Sequence, residues 1–415
     1  MAVATSFSGR SAYFRRRLIA AAVLVAVGGC GVAFAANQSV QGARKEDAGF
    51  AGDAPTAILI EASSGSVLSE KNADELRAPS SMMKLMTVET VFHAIEKGDV
   101  KLTDEYHISE HAWRTGGAPS GTSTMFAALN SRVSVDDLLH GAIIQSGNDS
   151  CIALAEGMDG NEGSFAADMM TKRARELGLT RSTFANSNGL PDPGNKMTVR
   201  ELAELARYII HAHPEFYKLF GQREFTWNKI RQQNRNPLLT SLEGADGLKT
   251  GYTKEGGYGM VGSAVQNGIR LIVVVNGLED SEERASEAKK MLEWGFRNFE
   301  ARTLFAARQT VGYARVFGGD SRSVKLASPD PIKVMVQKNG TDKLLARVVY
   351  SGPVRAPIEA GQRIGVVRIW RGANLAEETP VFAAESIGKG STMRRAIDGV
   401  SELVIGMFRA GAEKL

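Results

Sequence analysis

The stretch "APSSMMKLMTVETVF", Ala78 to Phe92, sets Ser81 three positions ahead of Lys84, and Met82, Leu85, Met86, Val88 and Val91 recur around them at helical spacing. Pro79 suits the first turn of such a helix. Positions i and i+3 share a helix face, so the Lys84 amine is placed to reach the Ser81 hydroxyl. A serine hydroxyl is a poor nucleophile near neutral pH and needs an adjacent base. An ordinary lysine, with a pKa near ~10.4, is protonated and cannot serve. Burial, or a second cation close by, disfavours the ammonium and makes Lys84 a base. Ser-x-x-Lys also occurs at Ser286–Lys289 and Ser386–Lys389, so the spacing alone decides nothing. Chemistry at Ser81 requires a further cation, a hydroxyl relay and oxyanion donors from elsewhere in the chain.

Two later stretches supply candidates. "QSGNDSC" holds Ser146-Gly147-Asn148, and "DGLKTGYT" holds Lys249-Thr250-Gly251, with glycines that suit a strand edge open to a ligand backbone. Singly, Ser146 reads as a helix cap and Lys249 as a solvated strand charge. Together, in this order, they make a constellation.

The surrounding sequence predicts an α/β (α+β) domain over 54–300. "AILIEASSGSVLSEKN" from Ala57 reads as two strands around "SSGS", and 134–158 and 197–213 show helical spacing. "LIVVVNG" (Leu271–Gly277) is an apolar run of strand length, and "SEERASEAKKMLEWGF" after it reads as a helix. Strands at both ends with helices between them imply an antiparallel sheet flanked by helices. A small all-β, sandwich-like domain is expected over 301–388. There "IKVMVQKNGTDKLLARVVY" reads as a hairpin turning at Asn339-Gly340, and "RIGVVRIWRG" adds a strand.

The ends of the chain read differently. Arg10 and Arg15-Arg16-Arg17 precede "LIAAAVLVAV", and "AFA" at 33–35 fits a cleavage site, so 1–35 reads as a signal peptide and 36–53 as a linker. Cys30 after "VGG" is a weaker match to lipoprotein processing. With Cys30 removed, Cys151 stands alone and no internal disulfide is expected. Over 389–412 an apolar stripe (Met393, Ala396, Ile397, Val400, Leu403, Val404, Met407, Phe408) alternates with Arg394, Arg395, Asp398, Glu402 and Arg409. That pattern predicts an amphipathic helix lying on a membrane surface; the plainer reading is a helix packed on the β-domain.

Composition excludes several classes. The 415 residues carry a net charge of only +4, and no basic block is interleaved with aromatics, so nucleic acid is not expected as a partner. The six histidines form no His-Glu-x-x-His, and His211-x-His213 reads as a helix end, so no metal or other cofactor is expected.

Ser-x-x-Lys, Ser-x-Asn and Lys-Thr-Gly form the motif set of β-lactamases and penicillin-binding proteins. Within that β-lactamase/transpeptidase-like superfamily the chain resembles the D-alanyl-D-alanine carboxypeptidases of the type-5 penicillin-binding proteins. The resemblance rests on "SGNDSC", "NRNPLL", "DGLKTGYT" and the order of its segments. It implies Ser81 as the acylated nucleophile, Lys84 as general base, Ser146 as relay and Asn148 as a clamp on the substrate amide. It further implies Lys249 as the second cation, with Thr250 and Arg284 on the substrate's terminal carboxylate. Gly251 and Tyr252 complete that strand, the N–H groups of Ser81 and Tyr252 forming the oxyanion hole. Tyr252 departs from the histidine common in the family, so pH behaviour tied to an imidazole does not carry over. The implied partners are the peptidoglycan stem peptide and β-lactams, and the implied location is periplasmic, on the outer face of the cytoplasmic membrane. A β-lactamase would need a carboxylate for deacylation, and "SNGLPDPGNKMT" offers no Glu-x-x-Asn. An endopeptidase cutting crosslinks shares the motifs, and a non-catalytic wall-binding scaffold would keep the groove without needing the intact Ser81–Lys84 pair.

Overall fold

The apolar run Leu271–Val275 lacks polar alternation because its strand is covered on both faces. In the computed structural model, which describes residues 49–340, 343–372, 374–393 and 395–396, Leu271, Val273 and Val275 join one buried cluster, and Ile272 and Val274 join another. The strand is central in a five-stranded antiparallel sheet made of β1 (Thr56–Glu61), β2 (Val67–Lys71), β3 (Ala245–Thr253), β4 (Gly257–Gln266) and β5 (Ile269–Leu278). The order is β2-β1-β5-β4-β3, so β3, which carries Lys249, is an edge strand. The "SSGS" turn is real: the Glu61 carboxylate accepts from the N–H and hydroxyl groups of Ser63 and Ser64, and β1 then pairs β2.

On one face lies α4 (Ser281–Asn298), which buries Ala288, Met291 and Leu292 against Leu59 and Met260. Asp280 caps it, accepting from the N–H groups of Glu282 and Glu283 at 2.7 and 2.8 Å. The other face carries α1 (Lys84–Lys97), α2 (Asn148–Asp159) and α3 (Val199–Ala212) around Met82, Leu85, Phe92, Ile152 and Leu205. The helical pattern over 134–158 is interrupted. Helical residues 135–145 stop at Ser146, whose φ of 64° is left-handed, and α2 restarts at Asn148. The apolar spacing continues across the break because both halves pack on the same core.

Among the described residues from Phe299 to Ala383 the regular elements are all strands: a pair (Phe299–Phe305 with Ile332–Gln337) and a six-stranded sheet, over a core that includes Val324, Leu326, Val334, Ile369 and Val381. The hairpin expected at Asn339-Gly340 does not form. Ile332–Gln337 pairs with Phe299–Phe305, whereas Leu344–Tyr350 pairs with Arg363–Arg371 in the other sheet. The connection is six residues long, so it hands the chain from one sheet to the other instead of folding it back in two. The expected leader over 1–35, most of the 36–53 linker and most of the 389–412 helix lie outside the described residues. Among the described residues no helix is long and apolar enough to cross a membrane.

Candidate active site

Ser81 sits in a tight helical turn, Ser80–Met83, that feeds α1. Two glycines let neighbouring backbone close on this turn. A Cβ on Gly251 would come within 3.1 Å of the Met82 nitrogen and the Pro79 carbonyl, and one on Gly189 (φ +79°) within 2.1 Å of the Ser80 carbonyl. Gly251 therefore lets the edge of β3 lie against the turn, and Gly189 lets the loop over 186–190 lie behind it. Ser80 is itself left-handed (φ 50°), and its hydroxyl is 2.8 Å from that of Thr253 at the end of β3.

The Lys84 amine lies 2.9 Å from Ser81 Oγ, donates to Asn148 Oδ1 at 2.7 Å, and donates to the Asn188 carbonyl. Its side chain is fully buried, at 1% exposure. Burial lowers its pKa to about 8, the Arg235 charge adding to the effect while Cys151, Glu162 and Asp149 oppose it. At pH 7 roughly a tenth of molecules then carry a neutral Lys84, against fewer than about one in a thousand for a solvated lysine. A neutral amine has two N–H groups and one lone pair. With the N–H groups on Asn148 and Asn188, the lone pair faces Ser81 Oγ.

The break at Ser146 turns its hydroxyl toward β3, where Lys249 Nζ donates to it at 2.8 Å. Lys249 is buried too, and its pKa is lowered well below the usual value by burial first and by Lys84 and Arg235 next. The sequence left burial and a second cation open as causes of the Lys84 depression; in the structure burial is the larger cause, and the cation that contributes is Arg235, where Lys249 was expected. Asn148 joins the set from the start of α2, its Nδ2 donating to Thr122 at 2.9 Å while its oxygen holds Lys84. It holds the Lys84 amine from within the cleft wall. Asp149 beside it accepts from the N–H groups of Met125 and Ala127 and from the Thr124 hydroxyl, fastening the loop that brings Thr122 and Ser123 over the site.

Two cavities meet at Ser81. One, of about 520 Å³, is lined by Ser81, Ser146, Arg235, Thr250, Gly251, Tyr252, Tyr258 and Arg284. The other, of about 460 Å³, runs past Thr122, Asn148, Gly189 and Leu190. The first is cationic. Arg284 stacks its guanidinium 5.6 Å from the Tyr258 ring centroid, and its buried Nε has no hydrogen-bond partner among the described residues. Arg284 thus brings a positive charge with an unspent donor to the cavity wall. Tyr252, 53% exposed, stacks on Tyr258 at 4.1 Å, so its side chain walls the cleft.

All nine residues singled out in the sequence gather around this cleft. Four groups were missed. Arg235 stands in "NRNPLL", where the only signal is a cation between two asparagines. Asn188 contributes a backbone carbonyl, and Thr122 and Asp149 act through the loop they tie together; none of these carries a local signature. His213 is not a ligand: it is buried, with Nδ1 2.7 Å from Glu96 and Nε2 3.5 Å from Glu89. Among the described residues no cluster of three or more potential metal ligands occurs.

Residues 42–280 match the family model of D-alanyl-D-alanine carboxypeptidase, and residues 299–389 match that of the penicillin-binding protein 5 C-terminal domain. The chain is 40% identical over 371 residues to D-alanyl-D-alanine carboxypeptidase DacC of Escherichia coli (strain K12), covering 89% of this chain and 91% of that relative. It is similar to the crystal structure of penicillin binding protein 5 from Haemophilus influenzae, with 36% identity, a TM-score of 0.71, and coverage of 81% of this chain and 98% of that one. It is also similar to penicillin-binding protein D2 from Listeria monocytogenes in its ampicillin-bound form, with 28% identity, a TM-score of 0.52, and coverage of 60% and 99%.

Proposed function

This chain belongs to the D-alanyl-D-alanine carboxypeptidase family of serine peptidases, and on that premise we propose how its residues divide the chemistry. Ser81 Oγ attacks the carbonyl between two terminal D-alanines while neutral Lys84 takes its proton. The observation that carries this assignment is the Lys84 amine, buried and 2.9 Å from Ser81 Oγ, with its other contacts spent on acceptors. The oxyanion settles on the N–H groups of Ser81 and Tyr252, which lie on the turn and strand that Gly251 lets approach; removing one such donor typically costs ~10²–10³ in rate. The proton that Lys84 took passes through the Ser146 hydroxyl, which Lys249 holds, to the departing D-alanine amine, and Lys84 is neutral again. Thr250 and Arg284, with Arg235 nearby, hold the substrate's terminal carboxylate, and Asn148 faces its amide once substrate displaces the Thr122 contact. Water then hydrolyses the acyl-serine, with Lys84 again as base.

A β-lactam presents the same acyl and carboxylate geometry and acylates Ser81; the ampicillin-bound relative supports this. The substrate is the peptidoglycan stem peptide, and the enzyme works in the periplasm, exported by the leader read over 1–35 and held on the membrane face by the amphipathic stretch of sequence over 389–412. Incubation with a pentapeptide muropeptide tests the reading: the wild type releases one D-alanine and Ser81→Ala releases none. Cleavage of a crosslinked dimer without release from the monomer would make it an endopeptidase instead. Absence of a covalent adduct with a fluorescent penicillin would end the enzymatic reading.

A further inference from the structure

One buried carboxylate beside the site has no part in the chemistry above. Glu162 opens the helical residues 162–176 and is 7% exposed. Its Oε1 accepts from the Ser187 N–H at 3.0 Å, the Ser187 hydroxyl at 2.6 Å and Asn188 Nδ2 at 2.7 Å, and its Oε2 faces His111 Nε2 at 2.9 Å. Ser187 and Asn188 supply three donors to this carboxyl group, and His111 Nε2 is a fourth in the tautomer that carries its hydrogen there. Ser187 and Asn188 are themselves buried, and the Thr87 hydroxyl of α1 donates to the Ser187 carbonyl. The Asn188 carbonyl is the second acceptor for Lys84 Nζ.

A neutral amine rotates freely about its last C–N bond unless both N–H groups are held. Asn148 holds one and Asn188 the other. The Asn188 carbonyl has its direction set by the 186–190 loop, which Glu162 grips at Ser187 and at the Asn188 side chain, while Asn186 Oδ1 accepts from the N–H groups of Asn188 and Gly189 and Asn188 Oδ1 from that of Leu190. We infer that Glu162 is a positioning residue for acylation: by holding Ser187 and Asn188 it aims the Asn188 carbonyl at Lys84 Nζ and so fixes the lone pair that takes the Ser81 proton. The inference rests on the assignment of Lys84 as base.

Glu162 also acts through its charge, and in the opposite sense. Burial lowers the Lys84 pKa, whereas the Glu162 charge raises it. Grip and charge therefore separate in two variants. Glu162→Ala loses both; Glu162→Gln keeps an oxygen for Ser187 and Asn188, loses the charge, and turns its NH2 toward His111 Nε2, which accepts in the other tautomer. Asn188→Ala removes the tether on the same carbonyl without removing the carbonyl itself.

The test measures acylation by a fluorescent penicillin, and kcat and KM on pentapeptide, between pH 6 and 9. Misplacing a reacting group by about an ångström costs on the order of 10²-fold, so Glu162→Ala is expected to lose that much in acylation and kcat, with KM within about threefold. Asn188→Ala falls in the same direction, and combining the two costs little beyond Glu162→Ala alone. Glu162→Gln stays within about threefold of wild type near pH 8, and the acid limb of its pH profile moves to lower pH because Lys84 loses its proton more readily. Four results would each overturn the inference: Glu162→Ala within about twofold of wild type, a loss confined to KM, full additivity with Asn188→Ala, or an acid limb in Glu162→Gln that stays put. If Glu162→Ala does not fold, Asn188→Ala takes its place: Asn188→Ala within about twofold of wild type, or with a loss confined to KM, overturns the inference, and the Glu162→Gln arm stands as before. A wild type that forms no penicillin adduct sinks the base assignment and this inference together; a labelled wild type with an equally reactive Glu162→Ala sinks this inference alone.

Discussion

The base assignment makes a quantitative demand on pH. Burial brings Lys84 to a pKa of about 8, so acylation by penicillin should rise about tenfold per pH unit up to pH 7 and level off just above 8. A solvated lysine would keep the rate climbing toward pH ~10.4. The depressed pKa also bears on stability. Between pH 8 and 10.5 the unfolded chain binds a proton at this lysine that the folded chain does not. Stability therefore increases as pH rises through that window, and the cost of burying the amine is fully present below pH 8. Each pH unit in that window is worth at most about 1.4 kcal/mol, so Lys84 should make wild type gain about 1.5 kcal/mol relative to Lys84→Met between pH 8 and 9.5. Stopped-flow labelling across pH 6–9.5 gives the kinetic arm, and urea unfolding of wild type and Lys84→Met at pH 8 and 9.5 gives the other. A rate that is flat from pH 6 to 9, or a stability difference that does not move, would refute the claim that burial makes this amine a base.

Three further outcomes follow from particular contacts. Gly189→Ala forces a Cβ to within 2.1 Å of the Ser80 carbonyl at a left-handed φ; acylation should fall on the order of 10²-fold as the Ser81 turn shifts, measured by the same labelling. Arg284→Gln removes a charged donor whose Nε is unpartnered; KM for a free acyl-D-Ala-D-Ala should rise about 10–100-fold, while a C-terminally amidated peptide should not distinguish variant from wild type. Asp149→Ala strands the N–H groups of Met125 and Ala127 and the Thr124 hydroxyl; urea unfolding should report a loss of about 2–5 kcal/mol.

What local spacing encodes was legible before any fold was known. Ser81 and Lys84 share a face because a helical turn repeats near every third or fourth residue, and Leu271–Val275 announces a strand covered on both sides because every position is apolar. The three motifs named seven residues and the family resemblance added Tyr252 and Arg284, and all nine lie at the cleft or in its wall. The errors fell where tertiary packing overrode a local cue. Asn339-Gly340 has the chemistry of a two-residue turn, yet its flanking strands find better partners in different sheets. The apolar pattern over 134–158 runs through Ser146 unbroken, because both halves bury against one core, while the backbone between them turns left-handed to offer a hydroxyl to Lys249. Of the two causes the sequence left open for a low Lys84 pKa, only packing could choose: burial depends on what surrounds the amine from α2 and the 186–190 loop, and no spacing within α1 reports it. The Asn188 carbonyl and the Glu162 grip on it leave no trace in the sequence at all, since any residue has a carbonyl and its direction is set only when segments distant in the chain are packed together.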